Sequence, residues 1–192
     1  MDLIELMEYR RSIRKYKETQ IDNDSLKKII YAGELAPNAG GGQRSMMVAI
    51  HNADITKRVG IMNMANFNRK GLAGSFVSKE QPSVIDDPTM TDGFYGAPTV
   101  VAIFAQSNFM FRVADAFCMA ENMILQATEL GIASCIISRG EETFVSEEGK
   151  MLVKEWGVPD NYTCQAFVIL GYIDGDEPQI KPRKPGRIQI IE

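Results

Sequence analysis

Between residues 112 and 130, Val113, Phe117, Ala120, Met123, Ile124, Ala127 and Leu130 recur at helical spacing, with Ala114 and Cys118 widening the apolar stripe. These positions cover well over half of a helix circumference, which predicts a helix buried on more than one side, centrally in the fold or at a subunit contact. Gly131 closes it, and the apolar run 132–137 that follows reads as a buried strand. A long buried helix turning straight into a strand confines the chain to a mixed fold built around a covered sheet.

The rest of the chain alternates in the same way. Helices are expected over 2–9, from Asp22 or Asn23 to just before Pro37, over 55–64 and over 147–156; strands are expected over 46–51, 99–105 and 164–172. Residues 38–42, Asn-Ala-Gly-Gly-Gly, form a loop, and 66–91 read as a long irregular excursion of the kind that makes lids or binding loops. No repeat and no domain boundary interrupts the pattern, so residues 1–192 are expected to form one domain. The absence of G-x-G-x-x-G and P-loop motifs argues against a Rossmann or Walker nucleotide site.

Several function classes fall away on composition. The formal charge of -4 lacks the basic excess of a general nucleic-acid binder. Charged residues break up the first twenty positions, leaving no signal-peptide core, and the most apolar run, 100–105, is too short to span a membrane. Cys118, Cys135 and Cys164 read as buried reduced thiols, which suits the cytoplasm. The single histidine, His51, has no ligand cluster around it, so zinc sites and histidine-based triads are not expected.

Four stretches carry possible chemistry. If 10–16 (Arg-Arg-Ser-Ile-Arg-Lys-Tyr) is extended, Arg10, Ser12 and Arg14 share one face. They then span about 13 Å at strand rise, close to the distance from a flavin mononucleotide's phosphate to its pyrimidine ring. Guanidiniums suit both ends, because their forks pair with phosphate and with planar carbonyl edges; a solvated basic turn has the same composition. Gly40-Gly41-Gly42 lets backbone amides approach a ligand or simply turns the chain. Ser138-Arg139-Gly140 emerges from the end of a buried strand, where backbone groups can meet a planar ring. The proline-spaced tail, with Lys181, Arg183, Lys184 and Arg187, must reach another surface or stay disordered, and Ile188 to Ile191 could add a strand to a neighbouring sheet. Anion-holding groups without acid–base machinery fit a protein that takes its chemistry from a cofactor.

Taken together these stretches resemble the nitroreductase family, nearly end to end. Residues 10–16 look like its R-R-S-x-R-x-[FY] motif and 36–43 like its A-P-S-x-x-N-x-Q loop. Tyr95-Gly96-Ala97-Pro98, Glu121-Asn122-Met123, the run 130–135 and Leu170-Gly171-Tyr172 follow in family order. The resemblance implies an α+β fold in which helices flank a central, mainly antiparallel sheet. It also implies an intertwined homodimer whose C-terminal strand joins the partner's sheet, with FMN in two equivalent pockets at the interface. By matching positions, Arg10, Ser12 and Arg14 would hold phosphate and pyrimidine edge, with Arg11 nearby. Pro37, Asn38, Ala39 and Gly41 would reach the flavin of the other subunit. Ile136, Ser138 and Arg139 would line the ring, Lys181 and Arg183 would close on the phosphate, and Asn66 matches a ring-contacting asparagine loosely.

The activity so implied is ping-pong hydride transfer from NADH or NADPH through flavin N5 to a nitroaromatic, quinone or similar small acceptor, with no catalytic side chain and no metal. Alternatives on the same cofactor are dehalogenation, flavin fragmentation, metabolite dehydrogenation, or a non-enzymatic flavin-binding module; a flavin-free nucleic-acid binder with a basic tail is a further class. The chain departs from the family pattern where Q-P-W is expected, carrying Gln43-Arg44-Ser45, and where the loop asparagine is Gly41.

Overall fold

The strand expected at 99–105 forms as β2 (Thr99–Gln106) and lies in the interior of a four-stranded sheet. In the computed structural model, which describes residues 1–65, 67, 81–85 and 87–192, β2 pairs antiparallel with β1 (Ser45–Ile50) and with β4 (Tyr162–Gly171). β3 (Ala133–Ile137) pairs antiparallel with the far side of β4, giving the order β1-β2-β4-β3. Every residue from Thr99 to Ala105 is at most 1% exposed, because both faces of β2 are covered. Strand alternation divides those faces. Val101, Ile103, Ala166, Val168 and Leu170 pack with α2 (Asn23–Glu34) and α4 (Arg112–Glu129). Val100, Ala102, Phe104, Phe167 and Ile169 face the opposite layer, which includes α3 (Ala53–Ala65) and α6 (Glu147–Glu155). Each large side chain fully buried in this way contributes roughly 1.5–3 kcal/mol. The expected antiparallel sheet between helices is therefore the fold.

Local chemistry explains the boundaries. α1 (Leu3–Tyr9) opens with a capping box between Asp2 and Glu5, and Asp22 caps α2 through the Ser25 amide. α4 ends in a Schellman turn: the Ile132 N–H reaches the Ala127 carbonyl at 2.8 Å and the Gly131 N–H reaches that of Thr128 at 3.0 Å, with Gly131 at φ +71°. That turn sends Ile132 back into the α4 side of the core and launches β3.

Three expectations change. Gly140 leaves the strand end not as open loop but as the start of a short helix, α5 (Gly140–Thr143); a Cβ there would lie 2.5 Å from the Cys164 carbonyl oxygen, so only glycine permits the approach. Cys135 and Cys164 are buried, but Cys118 is exposed, since it falls on the outward side of α4. On that same side Val113 and Phe117 are also exposed, so within one chain α4 is covered on the sheet side and open on the other.

The two sheet edges differ. Along β3 the chain's own N-terminal segment closes the edge: Ser12 bridges Ser134 in parallel, the Ile13 N–H donates to the Ser134 carbonyl at 3.0 Å, and the Lys17 N–H donates to the Tyr172 carbonyl at 2.8 Å. Among the described residues, no strand pairs with the outer edge of β1.

Candidate functional site

The parallel bridge between Ser12 and Ser134 sets the site's frame. The bridge is an isolated one: the chain lies against β3 at Ser12 and Ile13, and by Tyr16 it pairs antiparallel with Ile173, just past the end of β4. Ile13 is buried, and the Tyr16 hydroxyl donates to the Ile13 carbonyl at 2.7 Å, which pins the segment from below. Arg10, Ser12 and Arg14 are half-buried. The Arg14 N–H donates to the Gln81 side-chain oxygen, and Arg14 Nη1 donates to the Ser12 carbonyl at 3.3 Å. The segment 10–16 thus meets the sheet at Ser12 and again at Tyr16, without forming a continuous strand.

At the Arg10 end lies a cavity of about 80 Å³, whose walls include Arg10, Arg11, Gly131, Ser134 and Glu177. Arg11 does not simply project to the opposite face. Its Nη1 turns back onto the carbonyls of Glu8 and Arg10, closing the C-terminus of α1, while Nε and Nη2 are shut away from solvent with no partner. The Ser134 hydroxyl is likewise buried and unpartnered. Burial lowers the Arg11 pKa first, and the charges of Arg10 and then Arg183 lower it further, against the opposing pull of Glu177. The exposed Arg183 of the tail is thus near enough for its charge to act on Arg11. Crowded guanidiniums and orphaned donors beside a small cavity fit an anion such as a phosphate.

At the other end, β3 delivers Ile136 half-buried, Ser138 exposed, and Arg139 in the left-handed region at φ +66°. Asn63, 4% exposed, organises this turn: its Nδ2 donates to the Ser138 carbonyl (3.2 Å) and to Thr143 Oγ1 (3.0 Å), and its Oδ1 accepts from Arg139 Nη2 (3.2 Å). The Arg139 guanidinium lies over the Phe67 ring, 4.2 Å from its centre, and its Nη1 is buried without a partner. Burial lowers the Arg139 pKa, with Glu142 and Tyr95 opposing. Sequence reasoning did not single out Asn63; the available signal was an amide in the buried row Thr56, Val59, Gly60, Asn63 of α3. Asn66, the asparagine considered instead, lies outside the described residues.

The glycine loop is elsewhere. It precedes β1, at the edge opposite β3, so three strands, roughly 19 Å of sheet at strand spacing, separate it from the N-terminal segment that carries Arg10 and Arg14. Ala39 begins a single 3-10 turn (Ala39–Gly41), with Gly40 and Gly41 both at φ +62°. The buried Asp115 of α4 accepts the Ala39 N–H at 3.0 Å, and Asn38 Oδ1 accepts the Gln43 N–H at 2.9 Å. Arg44 stacks over Phe109 at 4.7 Å and lies against Gly42, where a Cβ would collide with its guanidinium. Pro37 and Gly41 are exposed, and Asn38 and Ala39 half-buried. One chain does not bring these four residues to the arginine cradle. Lys181 sits exposed on the tail, which has no regular structure, and Ile188, Ile190 and Ile191 are more than 80% exposed.

Among the described residues no group of histidine, cysteine and carboxylate side chains could hold a metal, and no helix is long and apolar enough to cross a membrane. The donor set, cationic at one end and hydrogen-bonding at the other, fits an elongated phosphorylated ligand with an acceptor-rich ring.

Comparison with known proteins gives the same direction. The sequence model of the nitroreductase family matches residues 7–172. A provisional NADH dehydrogenase/NAD(P)H nitroreductase of Archaeoglobus fulgidus is 24% identical over 174 residues, covering 89% of this chain and 85% of the relative. The crystal structure of a Bacteroides fragilis nitroreductase with bound FMN superposes with a TM-score of 0.83 at 30% identity, covering all of both chains. A Desulfitobacterium hafniense nitroreductase, also with bound FMN, shares the fold at a TM-score of 0.79 and 21% identity, over 98% of this chain and 97% of its own.

Proposed function

Because the chain belongs to the nitroreductase family, we propose that it is an FMN-dependent oxidoreductase that takes electrons from NADH or NADPH and gives them to a small acceptor such as a nitroaromatic or quinone. The observation that carries this reading is the meeting of Arg10 and Arg11 at one cavity with the unpartnered donors of Arg11 and Ser134, where the charge of Arg183 from the tail also acts on Arg11. When bound, FMN supplies the redox chemistry, accepting hydride at N5 and passing it on in alternating half-reactions.

The chain's own part is to bind and orient. Arg10, Ser12, Arg183 and Lys181 hold the phosphate, with Arg11 and Ser134 lending the donors that lack partners. Arg14 places a guanidinium at the pyrimidine edge, where negative charge grows on reduction; a hydrogen bond to a charged group of this kind is worth about 1.5–3 kcal/mol. Ile136, Ser138 and Arg139 flank the ring along the end of β3. No side chain is assigned a catalytic proton.

The site is completed by a second copy. Each subunit is one domain, 1–192, and Pro37, Asn38, Ala39 and Gly41 serve the cradle of the partner, which accounts for their distance from Arg10 and Arg14 within one chain. The open β1 edge and the exposed Ile188, Ile190 and Ile191 are complementary: the tail of one subunit adds a strand to the other's sheet. The bare outer face of α4, with Val113 and Phe117, supplies further apolar surface for the contact. Three free cysteines, two of them buried, support a cytoplasmic setting for this dimer.

The test is the visible spectrum of the purified protein. A flavin band that bleaches anaerobically with NADH or NADPH and returns with a nitroaromatic or quinone supports the reading. Colourless protein that takes up no added FMN rejects it.

A further inference from the structure

Tyr95 has a backbone that its side chain does not favour. It sits at φ +57°, one of three non-glycine residues in the left-handed region, and the other two, Gln43 and Arg139, both belong to the segments described above. A bulky residue holds this conformation only where its surroundings demand it, and such strain gathers where side chains must be aimed.

The surroundings of Tyr95 are specific. The short stretch 81–85 is fastened at two points: the Gln81 side-chain oxygen accepts the Arg14 N–H, and the Val84 N–H reaches the Tyr95 phenol oxygen at 3.5 Å. This places the phenol on the far side of the same stretch that holds Arg14. Burial raises the Tyr95 pKa, and the charge of Arg14 opposes it; the phenol in turn bears on Arg139. The Val84 N–H occupies the phenol oxygen, and a phenol has one proton to give. No acceptor for that proton is found among the described residues. The ring itself packs against the core and cannot turn away.

We propose that Tyr95 is a positioning residue of the ring end, holding through its oxygen the 81–85 stretch that accepts the Arg14 backbone N–H and directing its own O–H at the oxygen-bearing edge of the bound ring. This rests on the FMN reading given above. It adds a donor from the tight turn before β2, a part of the chain to which the resemblance assigns no cofactor contact. The arrangement would favour an electron-rich ring edge over a neutral one.

The experiment uses the full-length protein stripped of flavin. FMN is titrated by fluorescence quenching into wild type and Tyr95→Phe, the midpoint potentials of the reconstituted proteins are measured, and the melting temperatures of the flavin-free forms are compared. Expected for Tyr95→Phe is about tenfold weaker FMN binding, a more negative midpoint potential, and an unchanged melting temperature. A loss of one directed donor weakens the reduced form more than the oxidised form, whereas a merely structural role would weaken both alike. Tyr95→Gly, which suits the positive φ but gives up the packing of the ring, is expected to bind FMN at least as poorly as the Phe variant. FMN affinity within twofold of wild type in either variant, or an unshifted potential, overturns the proposal while leaving the FMN reading intact. Failure of the wild type to bind FMN at all overturns both.

Discussion

Asn63 holds Arg139 by its amide oxygen at 3.2 Å while its amide nitrogen holds the carbonyl of the preceding residue, Ser138, at 3.2 Å. One buried side chain on α3 thereby fixes both the path and the side chain of the turn that leaves β3. Replacement by alanine strands the Ser138 carbonyl and a guanidinium nitrogen, while the Thr143 hydroxyl loses one donor and keeps its bond to the Arg139 carbonyl. Asn63→Ala is expected to lose about 2–3 kcal/mol of stability in urea unfolding of the flavin-free protein. FMN binding should weaken with it; unchanged unfolding would show that water satisfies these groups.

Arg14→Ala removes the donor assigned to the pyrimidine edge. At about 1.5–3 kcal/mol, FMN binding should weaken roughly 10- to 150-fold, and anaerobic reduction by NAD(P)H should slow. Normal flavin occupancy and a normal stopped-flow rate would refute the role.

Asp115 tethers the glycine loop, and the loop is assigned to the partner's cradle. Asp115→Ala should therefore impair flavin binding although Arg10 and Arg14 are untouched. Mixing that variant with Arg14→Ala by joint unfolding and refolding gives hybrid dimers in which one site combines an intact loop with an intact cradle. Roughly a quarter of the flavin-binding capacity should return if the subunits pair at random. No return would mean that loop and cradle do not meet across subunits.

The cysteines separate by burial. Cys135 and Cys164 are buried, and burial raises both thiol pKa values, that of Cys164 well above the usual range. Groups whose folded pKa is raised give stability that is complete below the unfolded pKa of about 8.5 and is lost as pH climbs through the folded value. Stability to urea should thus fall progressively above about pH 8.5. In the native flavin-free monomer a thiol reagent should modify Cys118 first, with Cys135 and Cys164 reacting only after denaturant is added.

Ending the chain at Glu177 removes Lys181, Arg183 and the isoleucine-rich terminus together. The shortened protein should bind FMN more weakly and with less dependence on salt, and light scattering should find a less stable dimer. Arg183→Ala in the full chain should reproduce the first effect without the second.

What was legible in the sequence followed local rules. The starts of α1 and α2 near Asp2 and Asp22, and the span of α4 with its Gly131 turn, all depend on neighbours in the chain, and each appears where expected. What was missed depends on contacts between distant segments. Asn63 meets Thr143 eighty residues away, and Tyr95 meets Val84 across an irregular turn, so neither carries a periodic signature. Helical periodicity also cannot tell which apolar face of α4 is covered within its own chain, and for that reason Cys118 was expected inside.

The first strand-like residues of this chain do two jobs, sealing one margin of the sheet and offering cations to an anion. Those jobs share one free energy. Whatever ligand grips Arg10 and Arg14 also clamps the seam at Ser134, so flavin-free protein should exchange the Ile13 and Lys17 amide protons faster and be nicked sooner by proteases near the N-terminus. A cell short of cofactor would then be left with copies that it can degrade preferentially.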